Sequence, residues 1–595
     1  MKKYWLIFGV ILAISANSII SCSRQTVLPE KAIAVQLVAN IDSFTDFIDK
    51  QLLPAIKKDG NEQQLQRLFL QTRLLYKKYE WAAEYFNPAL TRLVNGAPVV
   101  EVEPGSRQVM EPEGLQVIEA LLYPGYKKAN KQELITRLER LSSTAGRYKD
   151  YFNNIDMLRG QVFDAAKLQV FRVITVGITA FDDPLSLNSL QEASVSLNSL
   201  KEVLGYYPHT DSLQISIDDA INYLNANTNF NTFNRAVFIT AYANTITRSI
   251  TRLEKKQNIP VIKYNRLLRQ DAETLFDKDA FNADAYTPCE GCTTTPQKTA
   301  LGKKLFFDPI LSGSLTRSCA SCHQPDKAFT DGLVKNTMLN SKRLLSRNTP
   351  GLINAALQPG LFYDLRSASL EAQAKDVMQN AQEMHGSMEI SAAKLWKDKE
   401  YQELFAAAYP ANGRTAIDTL EIMNALGSYI RSLVKLDSRF DKYMRGERAA
   451  LTSAEINGFN LFMGKAKCGT CHYMPLFNGV LPPRFVRMET EVIGVPQAAT
   501  GKTIDPDLGR YNIIPEPSLK YAFKTTTVRN TALTAPYMHN GVFSNLDQVV
   551  DFYNDGGGEG QGLLVDNQTL SSGKLNLTVK EKSALISFIK SLNDE

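Results

Sequence analysis

The chain has 595 residues, 44% of them apolar, with 67 basic against 62 acidic side chains and a formal charge of +5. That length is too great for one ordinary core, so roughly two to four domains are expected. The near-balanced charge excludes a nucleic-acid binder, which needs a concentrated basic face.

Residues 1–21 read as an export signal. Lys2 and Lys3 precede an apolar run from Tyr4 to Ile20 that is short for a membrane span. Ile19-Ile20-Ser21-Cys22 resembles a bacterial lipobox, which makes Cys22 the acylated first residue of the mature chain. A lipid there tethers a protein to a membrane surface without spanning it, in the cell envelope or periplasm of a bacterium. From 22 to 256 the pattern is helical: Leu65, Leu68, Phe69, Thr72, Leu75, Tyr76, Tyr79 and Phe86 recur at steps of three and four. Pro88, Pro104, Pro112 and Pro184 fall between such runs and mark connections. Gly114-Leu115-Gln116-Val117-Ile118-Glu119 resembles the G-x-H-x-x-E motif of the imelysin family, helical bundles associated with iron and haem handling. Gln116 stands where that family has histidine, and an amide is a poor transition-metal ligand. Gln116 and Glu119 therefore read as a solvated polar pair on a structural helix, in a binding or docking module without a catalytic metal.

Residues 257–295 read as a linker, dense in charge and interrupted by Pro260 and Pro288. Its Cys289 and Cys292 are followed by Thr293 rather than histidine, which favours a small disulfide in an oxidising compartment. Beyond it, Cys319-Ala320-Ser321-Cys322-His323 places two thiols to reach both vinyl groups of one porphyrin and an imidazole to reach its iron. Cys468-Gly469-Thr470-Cys471-His472 repeats the motif, in a chain with only five histidines. Two covalently bound haem c groups follow, one in each of the segments 296–445 and 446–595. The fold class is then all-α: an N-terminal helical bundle followed by two cytochrome c-like haem domains. Haem c is attached outside the bacterial cytoplasmic membrane, which agrees with the export signal. His209, in Tyr207-Pro208-His209-Thr210, reads as a loop residue.

Between and after the motifs the chain carries Arg347-Asn348-Thr349-Pro350, Phe362-Tyr363-Asp364-Leu365-Arg366, Asn380-Ala381-Gln382-Glu383-Met384 and Ala535-Pro536-Tyr537-Met538-His539-Asn540-Gly541. From about Thr295 to Glu595 this series resembles the bacterial di-haem cytochrome c peroxidase and MauG family. The resemblance implies that His323 is the proximal ligand of a peroxidatic haem and His472 that of a higher-potential electron relay. It makes Glu383 the distal acid-base residue, since splitting a peroxide bond needs a proton taken from one oxygen and given to the other. Gln373 matches a polar residue near the same site. Calcium between the domains is also implied, held by Asn348 and by the backbone carbonyls of Thr534 and Pro536, hard oxygen donors that suit this ion.

Three departures from the family bear on the chemistry. Tyr363 and Leu365 replace residues of an F-W-D-G-R motif, so an oxidising equivalent passing between the haems would meet a phenol that must lose a proton. Tyr553 stands where many members place a methionine ligand on the relay iron; a phenolate lowers a haem potential that a thioether raises, and Met538 is a rival candidate. The stretch Asn336 to Ser346 has no gating histidine, which predicts an open peroxidatic iron, with Met338 as a further candidate ligand. His385 reads as a distal-pocket residue and His539 as a hydrogen-bonding residue near the relay haem. The expected function is reduction of hydrogen peroxide with electrons from a small cytochrome c or similar donor protein. Peroxide-dependent modification of a partner protein, or plain electron transfer, are the alternatives. Assembly is left open, a homodimer included.

Overall fold

A computed structural model describes residues 28–102, 108–262, 264–410 and 414–594. The export signal and Cys22 lie outside them. Eight principal helices fill the first part: α1 (Pro29–Phe47), α2 (Glu62–Lys77), α3 (Leu115–Leu122), α4 (Lys131–Asn154), α5 (Arg159–Arg172), α6 (Ser189–Leu204), α7 (Asp211–Ala226) and α8 (Asn244–Lys256). Asn61 caps α2 by accepting from the Gln64 N–H at 2.9 Å. The stripe predicted along α2 is buried at Leu65, Phe69, Thr72 and Tyr76. Tyr76 and Tyr79 meet edge to face at 5.3 Å, and Tyr79 meets Tyr148 of α4 at 5.8 Å. α1 packs along α4, and α6 along α7. Three buried cations stitch the interior: Arg73 to Glu192 at 2.5 Å, Lys77 to Asp182 at 2.5 Å, and Arg172 to Asp182 at 2.8 Å. Desolvated charges persist only with such partners.

The expected linker is a packed strap. Leu267, Leu268, Leu275 and Phe276 are buried, and Arg266 pairs with Asp164 of α5 at 2.9 Å. Its charges and prolines signal the absence of helix, not the absence of packing. Cys289 and Cys292 form the disulfide.

The haem-motif half uses one device twice. α9 (Pro296–Phe307) crosses α11 (Thr419–Arg431), with α10 (Leu370–Gln379) packed alongside, and α12 (Ser453–Phe462) crosses α14 (Val579–Lys590); α13 (Leu546–Asn554) lies beside α14. At the first crossing a Cβ on Gly302 would sit 1.8 Å from the Ala425 carbonyl oxygen. At the second, a Cβ on Gly458 would sit 2.0 Å from that of Ala584. Only glycine permits either approach. Two short antiparallel ladders make the fold mostly rather than wholly α: β1 (Glu101–Val102) with β2 (Val109–Met110), and β3 (Thr490–Glu491) with β4 (Phe523–Lys524). They arise where non-helical segments run side by side and must pair their backbone groups.

The core is divided unevenly. The first haem-motif domain has its own apolar cluster around Leu301, Leu305, Leu395 and Phe405. The second shares one continuous cluster with the N-terminal helices, joining Phe440, Phe459 and Phe588 to Phe238 and Ile246. Phe181 lies edge-on to Tyr473 at 5.7 Å, Lys467 Nζ donates to the Pro184 carbonyl at 3.2 Å, and Arg487 pairs with Glu101 at 2.6 Å.

Candidate functional site

Each C-x-x-C-H segment is wound into a short 3-10 turn that brings its histidine back over the first cysteine. The N–H of His323 donates to the Cys319 carbonyl and that of His472 to the Cys468 carbonyl, both at 2.9 Å. The ring nitrogens are then fixed by acceptors outside the motif. His323 Nδ1 lies 2.9 Å from the Phe329 carbonyl oxygen, and His472 Nδ1 lies 3.0 Å from that of Thr526. An Nδ1–H that donates to a carbonyl leaves Nε2 as a lone pair, the tautomer a metal takes. Burial holds both rings neutral, with His472 pushed down to about 4. It pushes the Cys319 thiol up to about 12, Cys322 to about 11 and Cys468 to about 12. Partly buried, outside any disulfide and held protonated, these four cysteines lack the thiolate character of a redox or zinc site. A cavity of about 1200 Å³ opens beside the second motif, walled by Cys468, Cys471, His472, Tyr553, Val550 and Leu585. Thiols, a presented Nε2 and an apolar chamber fit haem c.

The expected acid-base group lies near the first motif. Glu383 follows the end of α10, in a turn closed by Asn380, whose Nδ2 donates to Glu383 Oε1 at 2.8 Å. Arg317 Nη1 holds the Glu383 carbonyl at 3.3 Å. Burial raises the Glu383 carboxyl above the ordinary value, against the pull of Arg366 and the Asn380 bond. Gln373 is half-buried on α10.

Tyr363 stands at the junction of the two haem-motif domains. Its carbonyl accepts from the Lys524 N–H at 2.7 Å, its phenol is held protonated by burial, and it borders the same cavity as His472. Arg347 bridges the junction, 2.6 Å from both Asp364 and Asp507. Asn348, Thr534 and Pro536 also border that cavity. Asn348 Nδ2 is committed to the carbonyls of Leu333 and Val334 at 2.8 and 3.3 Å, so Oδ1 is the ligand atom it still offers. His539 is buried, stacked on Phe523 at 3.8 Å, with Nε2 3.3 Å from Asp505. Asp505 was not distinguishable in the sequence from other loop aspartates. Tyr553 is presented by α13 to the cavity, its phenol pushed up by burial; Met538 borders the cavity as well.

Two expectations need correction. His385 is exposed on a turn with φ of 48°, not turned into a distal pocket. Gln116 and Glu119 are not solvated, being 2% and 0% exposed. Gln116 Nε2 donates to the Asn95 carbonyl at 3.1 Å, and Glu119 accepts from the Ser186 N–H at 2.9 Å. The polar face of α3 turns inward because it closes the far wall of the same cavity. The gate stretch forms a small hairpin, with Thr337 bridged to Leu344 and Met338 partly buried.

Residues 296–449 match the di-haem cytochrome c peroxidase family. The cytochrome-c peroxidase IdrP2 of Denitromonas iodatirespirans is 33% identical over 314 residues, which cover 50% of this chain and 81% of that one. The methylamine utilization protein MauG of Methylorubrum extorquens is 33% identical over 303 residues, 51% of this chain and 79% of that one. The cytochrome c551 peroxidase of Pseudomonas aeruginosa is 32% identical over 265 residues, 44% and 73% respectively. A crystal structure of a MauG-like protein associated with microbial copper homeostasis aligns at 30% identity with a TM-score of 0.46, covering 52% of this chain and 94% of that one. Through its second half, the chain belongs to the di-haem cytochrome c peroxidase family.

Proposed function

We propose that the protein is an envelope peroxidase that reduces hydrogen peroxide to water with electrons from a small cytochrome or similar donor. The observation that carries this reading is the pair of imidazoles, each following a Cys-x-x-Cys turn with Nδ1 tied to a carbonyl, and a partly buried carboxyl, Glu383, near the first motif. Cys319, Cys322 and His323 would hold a haem c whose iron takes peroxide, and Cys468, Cys471 and His472 would hold one that supplies a single-electron relay. Glu383 takes a proton from one peroxide oxygen and returns it to the departing one; Asn380 holds its carboxylate for that exchange. Two electrons and two further protons complete the conversion to two waters. Tyr363 lies between the sites and passes oxidising equivalents; Gln373 shapes the peroxide pocket. Asn348 Oδ1 with the Thr534 and Pro536 carbonyls would hold a calcium ion at the junction. The N-terminal helices cover one face of the relay domain, so the donor docks elsewhere on it. Cys22 carries the lipid that keeps the enzyme at the membrane; among the described residues no helix is long and apolar enough to cross one.

The test is steady-state oxidation of a reduced small cytochrome on adding peroxide, with and without pre-reduction. Turnover without pre-reduction is expected, and Glu383→Gln should lower it by about 10²–10⁴-fold with haem content unchanged. To accept the first proton Glu383 must be ionised, and its carboxyl is raised. The rate should therefore fall as pH drops through a value above the ordinary carboxylate range, and that limb should vanish in the variant. A partly buried Tyr553 phenol near Cys468 and Cys471 favours a second reading, oxidation of a partner protein. Peroxide-induced spectral change with no donor turnover would select it.

A further inference from the structure

Around the cavity, the exposed Arg484 aside, every cation but one has a partner among the described residues. Arg172 pairs with Asp182, Lys465 with Glu581, Arg487 with Glu101 and Arg529 with Asp441, while Lys467 donates to the Pro184 carbonyl. Lys524 borders the same cavity, and its ammonium makes no ion pair or hydrogen bond among the described residues. Its backbone is pinned on both sides. Lys524 pairs with Thr490 across the β3–β4 ladder and its N–H donates to the Tyr363 carbonyl at 2.7 Å. The backbone from which the side chain springs is therefore fixed beside the cavity. The carboxylate whose field reaches it, Asp364, is taken by Arg347 at 2.6 Å and by Arg366 at 2.9 Å. Burial pushes the ammonium down to about 8, the mark of a charge without an adequate partner.

A partly buried, unpartnered ammonium bordering a chamber is best satisfied by an anion from outside the chain. The chamber is the one bordered by Cys468, Cys471 and His472, and the group that fits it carries two carboxylates of its own. We propose that Lys524 is the partner of a haem propionate, that of the haem attached at Cys468 and Cys471, and that it sets this haem's redox poise. The inference rests on the two-haem reading above but not on peroxidase activity. A fixed positive charge beside a haem favours the ferrous form, which carries one positive charge fewer. Removing it should favour the ferric form.

The experiment is a spectroelectrochemical titration of the full-length haem-loaded protein, wild type against Lys524→Met and Lys524→Arg, resolving the two haems and using no peroxide. At a fixed applied potential, Lys524→Met should shift the second haem toward ferric by about tenfold, an order expected for losing one close, partly desolvated charge. Lys524→Arg should stay within about twofold of wild type, and the first haem should move less than about twofold in both. Resonance Raman should show the propionate bending band of the second haem displaced in Lys524→Met and retained in Lys524→Arg. If Lys524→Met does not assemble, Lys524→Gln replaces it as the neutral variant. An unchanged second haem in a neutral variant that retains both haems would overturn the proposal. So would a shift confined to the first haem, which would place Lys524 on the other haem's propionate. Loss of peroxide turnover with these shifts intact would count against the peroxidase reading and not against this one.

Discussion

In the first haem-motif domain the carbonyl that orients the histidine comes from Phe329, six residues after His323; in the second it comes from Thr526, 54 residues after His472. The contrast extends to the cores. The first domain packs around its own cluster of side chains, whereas the second is continuous with the N-terminal helices through Phe181, Lys467 and Arg487. The same sequence motif is thus set in two ways, one by a neighbouring loop and one by the assembly of distant segments. A site of the second kind depends on more of the chain and transmits its state to more of it.

The largest test of this contrast removes one attachment pair at a time. Cys319→Ser with Cys322→Ser, and Cys468→Ser with Cys471→Ser, should each leave one covalent haem instead of two, measured by pyridine haemochrome. Their consequences should differ. Losing the second haem empties a chamber walled partly by α3 and its neighbours, so thermal unfolding of the N-terminal helices should move to lower temperature. Losing the first should leave that transition in place. Equal effects on both would show that the domains are energetically joined despite their separate cores.

A smaller perturbation addresses the two helix crossings. Gly302→Val and Gly458→Val each force a side chain into a backbone carbonyl, at approaches of 1.8 and 2.0 Å for the Cβ alone. Overpacking of this kind costs typically ~1–3 kcal/mol, and backbone must shift in both cases. Denaturant unfolding followed at each haem separately should show Gly302→Val weakening the first domain alone. Gly458→Val should weaken the second domain together with the helical region. A single cooperative transition in both variants would erase the distinction.

How much of this was legible in the sequence follows the same division. The two attachment motifs, the stripe on α2 and the disulfide are local patterns, and each was readable from spacing. The burial of Gln116 and Glu119 was not, because a polar pair on a helix looks the same whether it faces water or closes an internal chamber. Nor was the packing of the strap, where Leu267, Leu268 and Phe276 carry no periodicity. Lys524 and Asp505 illustrate the general case. Each is an ordinary residue in a loop-rich segment until the chain brings Tyr363 or His539 against it.

The smallest expected change concerns Tyr553, where the sequence left two candidates. Both Tyr553 and Met538 border the cavity, but the Tyr553 phenol lies near Cys468 and Cys471. Burial raises that phenol well above its ordinary value, so in the absence of a metal it keeps its proton. Binding iron as phenolate then requires releasing the proton, and ferric iron compensates for this better than ferrous. If Tyr553 is the ligand, the midpoint potential of the second haem should fall as pH rises, because oxidation and proton release are linked. Tyr553→Met should raise the potential and flatten that dependence, with the first haem unaffected. A pH-independent wild-type potential that drops in Met538→Leu would instead assign the position to Met538.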